Sequence, residues 1–230
     1  MDPRRARSRA HLAIDTDALY GHRFSPEESA GRQALWREIT RHLQRYIPAD
    51  AAVLDIAAGS GEFIANIAAR ERWASDVRDT SAALPKDVRF VVSDGLALRE
   101  TAPTGHFDRV FMSNYLEHLP SPEAVVEQFA VVRDLLKVGG QVIVLQPNIR
   151  LTGGRYWDFI DHRTPLTEVS LAEAALTAGL EPVKTIVRFL PYTTKSRLPQ
   201  SPWLVRAYLA FPPAWRFMGK QTLFIAQRAR

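Results

Sequence analysis

Apolar and polar positions fall into short blocks along this chain, and the period of the blocks alternates. Between positions 53 and 145 five apolar runs read as strands: the run ending at Asp55, then Trp73–Ser75, Val88–Val92, Phe107–Met112 and Gly140–Leu145. Other stretches repeat apolar residues at helical intervals. Glu27–Ile47 carries Ala34, Leu35, Ile39, Leu43 and Ile47, and Ser25 with Glu28 is a capping-box signature at its start. Pro122–Leu136 carries Val125, Val126, Phe129, Val132 and Leu136, with Pro122 suited to the first turn. Leu171–Ala178 ends at Gly179, a C-cap signal. Val183–Leu190 and Thr222–Ala226 read as two more strands. Strand and helix patterns that alternate in this way predict βαβ units and a parallel sheet.

The first strand runs into the most informative stretch. Val53–Phe63 reads VLDIAAGSGEF, and a helical pattern is expected from Glu62 through Phe63, Ile64, Asn66 and Ile67. A small-residue turn between a strand and a helix lets a ligand approach the backbone, because glycine has no side chain and tolerates φ > 0. The dinucleotide fingerprint G-x-G-x-x-G is not met, since Ile64 stands at the third small position. The second strand ends in Asp76, fifteen positions after Gly61, where the ribose-binding acid of such folds usually follows at roughly 20. A carboxylate there can accept hydrogen bonds from two ribose hydroxyls. The third and fourth strands end at Ser93-Asp94-Gly95 and at Ser113-Asn114-Tyr115-Leu116-Glu117-His118-Leu119. An open parallel sheet binds its ligand at these strand ends.

The spacing Asp55-x-Ala57-x-Gly59-x-Gly61 resembles the first motif of class I S-adenosylmethionine-dependent methyltransferases, with Ala57 where glycine is usual. Four longer stretches narrow the resemblance. They are Leu19–Ile39, the glycine turn, LQPNIR with YWDFIDHRTPLT (145–150 and 156–167), and Arg188–Leu209. With SNYLEHL they look like the bacterial group associated with cell-surface polysaccharide and glycan biosynthesis. The resemblance implies an α/β Rossmann-like fold. Its sheet has seven mostly parallel strands, helices on both faces and an antiparallel last strand. It implies S-adenosyl-L-methionine as cofactor, held by Asp55, Ala57, Gly59, Ser60, Gly61, Asp76, Val77, Asp94, Gly95, Asn114 and Tyr115. Asp94 is expected to meet the adenine amino group. The end of the fourth strand lacks the Asn/Asp-Pro-Pro-aromatic motif of relatives that methylate nucleobase amines.

Transfer to a hydroxyl requires alignment with the sulfonium methyl and removal of a proton. Histidine suits the second task. His162 and His118 are the candidate bases and Asp158 the competing one, while Tyr156, Trp157 and Arg163 form a candidate acceptor pocket. Three other readings stay open: a natural-product or lipid methyltransferase, an RNA methyltransferase, and a non-catalytic cofactor-binding partner of a glycosyltransferase.

Composition narrows these classes. The chain has 230 residues and 46% hydrophobic content, as for one packed domain. Residues 1–25 are expected to form an arm or lid and 26–230 the methyltransferase domain, with a basic aromatic insertion at about 191–220. There are no cysteines, and the six histidines show no metal-ligand spacing, so no metal site is expected. No apolar run reaches the roughly 18 residues of a membrane span. The expected compartment is the cytoplasm.

Charge changes the picture once more. Net charge is +5, yet Pro182–Arg230 holds nine basic residues and no acid. The remainder therefore has 21 basic residues against 25 acidic ones, a net of −4. Within the tail, Trp203–Trp215 interleaves aromatic and apolar residues with cations. Segment 201–219 is thus a candidate for core or homodimer packing, or for peripheral contact with the inner face of a membrane and a lipid-linked acceptor. Nucleic acid is the less favoured partner.

Overall fold

The computed structural model describes residues 26–192 and 201–229. The expected arm at 1–25, the Ser25 cap and residues 193–200 of the expected insertion lie outside the described residues. The strands are β1 (Ala52–Ile56), β2 (Glu71–Asp76), β3 (Val88–Val92), β4 (Phe107–Ser113), β5 (Leu136–Pro147), β6 (Leu180–Leu190) and β7 (Gln221–Arg228). They form one seven-stranded sheet in the order β3-β2-β1-β4-β5-β7-β6. β1 to β5 pair in parallel, and β7 runs antiparallel to both β5 and β6. The reversed last strand is the one the sequence resemblance implies. The helices are α1 (Pro26–Leu43), α2 (Leu98–Thr101), α3 (Pro122–Leu135), α4 (Ile149–Thr152), α5 (Glu168–Thr177), α6 (Pro202–Ala210) and α7 (Pro212–Met218).

Both faces of the sheet are covered, which is why the central strands are apolar at almost every position. Leu54, Val110, Met112, Val142, Val144 and Phe224 point to one core, closed by α3 and α5. Val53, Phe111, Ile143, Leu145, Leu223 and Ile225 point to the other, closed by α1, the 63–67 turn and α6. There Phe63 stacks on Phe111 with centroids 3.8 Å apart. Ser121 caps α3 by accepting the Ala124 amide, and Pro122 opens its first turn.

Two local expectations are corrected. No regular helix follows the glycine turn: Ala65 bonds back to Gly61 and Ile67 to Phe63, and the pattern ends there. The Gln44 side chain takes both backbone groups of Ala68, accepting its N–H at 2.9 Å and donating to its carbonyl at 3.0 Å. A side chain from the end of α1 therefore stops the helix. This accounts for the short interval from Gly61 to Asp76. The fifth strand, expected over Gly140–Leu145, begins earlier, at Leu136, with a register irregularity opposite Phe107–Arg109.

Candidate active site

The glycine turn is fastened to the end of β2. Ala58 donates to the Ser75 carbonyl at 2.9 Å, and the Gly59 amide donates to Asp76 Oδ2 at 2.9 Å. Asp76 Oδ1 accepts the Arg78 amide at 3.0 Å. Ala57, Gly59 and Gly61 all have positive φ, at 55°, 58° and 76°. A methyl at Ala57 is tolerated at a cost of about 1 kcal/mol. The glycines differ in their surroundings. A Cβ on Gly59 would meet no protein atom within 4 Å, whereas one on Gly61 would lie 2.0 Å from Leu84 Cδ2. The open space beside Gly59 is what a ligand crossing the backbone needs.

Asp55 is buried beneath this turn, and its pKa is driven up by burial and then by the charges of Glu62 and Asp76. It accepts a hydrogen bond from the Ile64 amide, so its place is under the turn. Asp94 is exposed at the end of β3, and its Oδ1 accepts the Leu96 amide at 3.0 Å. Gly95 packs on the Tyr115 hydroxyl, which donates to Gln128 Oε1 at 2.9 Å. Burial raises the Tyr115 pKa, and Asp94 and Asp76 raise it further, so these three groups share one neighbourhood. Asn114 holds φ 49° and donates from its backbone to the Leu145 carbonyl. Ser60 and Val77 are exposed.

A second cluster lies between the ends of β4 and β5. Glu117 is 1% exposed, and its Oε2 accepts Gln146 Nε2 at 3.0 Å. Burial raises its pKa. His162 Nε2 stands 4.0 Å from Glu117 Oε1, and the His162 side chain is 5% exposed. The His118 ring lies 5.0 Å from the His162 ring, with Nδ1 at 3.1 Å from the Asp161 carbonyl and 3.3 Å from its Oδ2. The chain after β5 is held in place by Asn148, which caps α4 and donates to Glu168 Oε2 at 2.6 Å and Thr222 Oγ1 at 3.2 Å. Tyr156 is fully buried. Its hydroxyl donates to the Thr164 carbonyl at 2.5 Å, and its ring meets His162 edge-on at 4.9 Å.

The fold thus brings His118 and His162 together, although 44 positions separate them in the sequence. Asp158 and Trp157 are exposed nearby in the chain, and Arg163 donates its backbone amide to the Glu117 carbonyl at 2.8 Å. Glu117, Asp161 and Gln146 are the cluster members not singled out from sequence. Glu117 had one signal: an acid between Leu116 and His118, with Leu119 next, on a segment leaving a buried strand. Arg32 is another addition. It pairs with Glu62 beside the glycine turn.

A cavity of about 310 Å³ lies between α1, the turn and residues 83–85. It shares Ser60 and Gly61 with the motif but not Asp76, Asp94 or the histidines, so it lies behind the turn.

Comparison with known proteins agrees with this geometry. Residues 29–185, more than half of the chain, match the family described as "Methyltransferase domain", and the chain belongs to that family. It is an S-adenosylmethionine-dependent methyltransferase. A SAM-dependent methyltransferase from Archaeoglobus fulgidus is 21% identical, with a TM-score of 0.60 over 83% of this chain and 94% of that one. One from Mesorhizobium loti is 17% identical, with a TM-score of 0.59 over 81% and 95%. The [4+2]-cyclase SpnF is 19% identical, with a TM-score of 0.59 over 84% and 80%. That last likeness illustrates that the fold alone does not fix the chemistry. Among curated proteins none matches the chain.

Proposed function

We propose that this enzyme methylates a hydroxyl oxygen of a sugar or glycan-related acceptor. The observation that carries this reading is the Glu117–His118–His162 cluster, whose first two members follow Asn114 and Tyr115 after the end of β4. The residues present suit S-adenosylmethionine. Gly59 leaves room at the backbone, Asp76 can accept from ribose hydroxyls, exposed Val77 can cover a purine face, and Asp94 can accept from its amino group. Arg32 brings a cation near the turn, where the carboxylate of the methionine part needs one. The bound cofactor supplies an activated sulfonium methyl. The chain's own task is to hold the acceptor oxygen in line and relieve it of its proton. We assign this to His162 and His118, which have Glu117 and Asp161 beside them. Asp158 is exposed and lies outside the Glu117–His118–His162 group.

A lipid-linked acceptor at a membrane surface is the form of this reading that the α6–α7 hairpin favours. Trp203 is 68% exposed and Phe217 84% exposed in a segment free of acids. Among the described residues no helix is long and apolar enough to cross a membrane. The test is label transfer from methyl-labelled cofactor onto free and lipid-linked saccharides, with RNA and lipids as comparison acceptors. Label in an O-methyl sugar is the expected result. Label confined to RNA or to an amine would overturn it.

A further inference from the structure

We propose that Glu117, His118 and His162 form a binding site for a divalent first-row transition cation whose open positions take the acceptor hydroxyl. The inference rests on the hydroxyl-acceptor reading only for what the cation does, not for whether it binds.

The geometry is the first argument. One ligand atom from each residue lies within 4.8 Å of the other two. A carboxylate and an imidazole bonded to each other directly sit at about 2.7–2.9 Å. Glu117 Oε1 and His162 Nε2 instead stand 4.0 Å apart. Two atoms each about 2.1 Å from one ion are separated by at most about 4.2 Å. The gap is too wide for a direct bond, and an ion fits between the two groups once they close by some tenths of an ångström, to the roughly 3.4 Å that tetrahedral ligands at about 2.1 Å require.

The surroundings are the second argument. A cation beside Glu117 would supply the charge that its carboxylate form lacks at so buried a position. Metal-bound histidines commonly give their other N–H to a carboxylate or carbonyl, which fixes the ring and its tautomer. His118 Nδ1 faces both the Asp161 carboxylate and the Asp161 carbonyl. Metal-bound carboxylates are likewise hydrogen-bonded from behind, and Gln146 donates to the far oxygen of Glu117. Two imidazoles and one carboxylate form the donor set of open-faced sites for ions such as Fe²⁺, Mn²⁺ and Zn²⁺. The spacing of histidines along the sequence gives no hint of this set, because His118 and His162 leave different strands.

With a cation bound, the two imidazoles would be ligands, and the cation would supply the Lewis acidity that lets the acceptor hydroxyl give its proton to solvent as its oxygen takes the sulfonium methyl and the S–C electron pair stays on sulfur.

The test begins with chelator-treated full-length protein titrated calorimetrically with Zn²⁺ and Mn²⁺, without cofactor or acceptor. One ion per chain is expected. His118→Gln and His162→Ala should each weaken binding by about 100-fold or more, and Asp161→Asn by about 10- to 100-fold. Co²⁺ should show visible absorption that His118→Gln shifts or abolishes. His106→Ala should bind as the wild type does, since His106 pairs with Glu71 away from the cluster. If His162→Ala fails to fold, His118→Gln decides, because that side chain is 23% exposed. Absence of a stoichiometric site, or affinity unchanged in His118→Gln, overturns the proposal. Stoichiometric binding by an enzyme that methylates no hydroxyl overturns the acceptor reading and leaves the site standing. Full methyl transfer by metal-free enzyme in chelator overturns the role given to the cation.

Discussion

The Gly59 amide donates to Asp76 Oδ2 at 2.9 Å, so the glycine turn and the acid that ends β2 form one unit. If Asp76 holds the ribose as proposed, any change there acts twice, on the turn and on the cofactor's hydroxyls. Asp76→Ala should weaken S-adenosylmethionine binding by roughly 1.5–3 kcal/mol, about 10- to 100-fold. Asp76→Asn, which keeps an acceptor for Gly59, should lose less. Calorimetry that returned wild-type affinity for both would remove Asp76 from the ribose site.

The two glycines of the turn should fail differently. Gly59→Val places a branched side chain in open space and should abolish cofactor binding. Gly61→Ala meets Leu84 and should lower stability by about 1–3 kcal/mol. Leu84→Ala in the same chain should recover part of that loss, leaving the cost of the positive φ. A double-mutant cycle in denaturant reads the coupling directly. Strict additivity would contradict the contact.

At the acid–histidine cluster, His162→Ala should lower turnover about 100-fold or more with cofactor affinity nearly unchanged. Asp158→Ala should turn over close to wild type. The reverse order, measured with one acceptor, would move the chemistry out to the exposed loop.

Acid should destabilise the protein through His42. It packs against Phe189 and Trp215, and burial, then the Arg45 charge, lowers its pKa from 6.5 to about 4. Between these values the unfolded chain binds a proton that the folded chain refuses. The contribution is therefore complete above about pH 6.5 and is lost as pH falls toward 4. Its size is on the order of 2–3 kcal/mol. Glu38, held to about 2 by Arg206, acts in a separate window below about 4.5. Melts at pH 7 and pH 5 should show a larger drop for wild type than for His42→Leu. Equal drops would place the acid sensitivity elsewhere.

The strands were legible because β1, β4 and β5 are buried on both faces, which leaves apolar runs with few interruptions. The glycine turn and Asp76 were legible because one local segment and one strand end carry them. Glu117 was not, because its partners Gln146 and His162 lie 29 and 45 positions away. The missing helix after Gly61 was not legible either: Glu62–Ile67 has helical spacing, and the Gln44 side chain ends it from outside. Trp203 and Trp215 look alike in sequence. Only the packing of the α6–α7 hairpin turns Trp215 inward and leaves Trp203 in solvent.

That division decides how the hairpin should be tested. Trp215 donates to the Tyr208 carbonyl at 2.8 Å and meets Phe189 edge-on at 5.1 Å, so Trp215→Ala should cost about 3–5 kcal/mol of stability. Trp203→Ala and Phe217→Ala should leave the melt within about 0.5 kcal/mol. If the hairpin docks on a membrane, these two changes should instead reduce sedimentation with anionic vesicles. Arg216→Gln and Lys220→Gln should each remove about 1 kcal/mol of that binding. Arg206 belongs to a different account: it grips both carboxylate oxygens of Glu38 at 2.9 Å, joining α6 to α1. Arg206→Gln should therefore loosen the hairpin itself, seen as protease cleavage near α6. Wild-type protein that ignores anionic vesicles would leave Trp203 and Phe217 without a lipid partner, and light scattering would then show whether a second copy of the chain covers them.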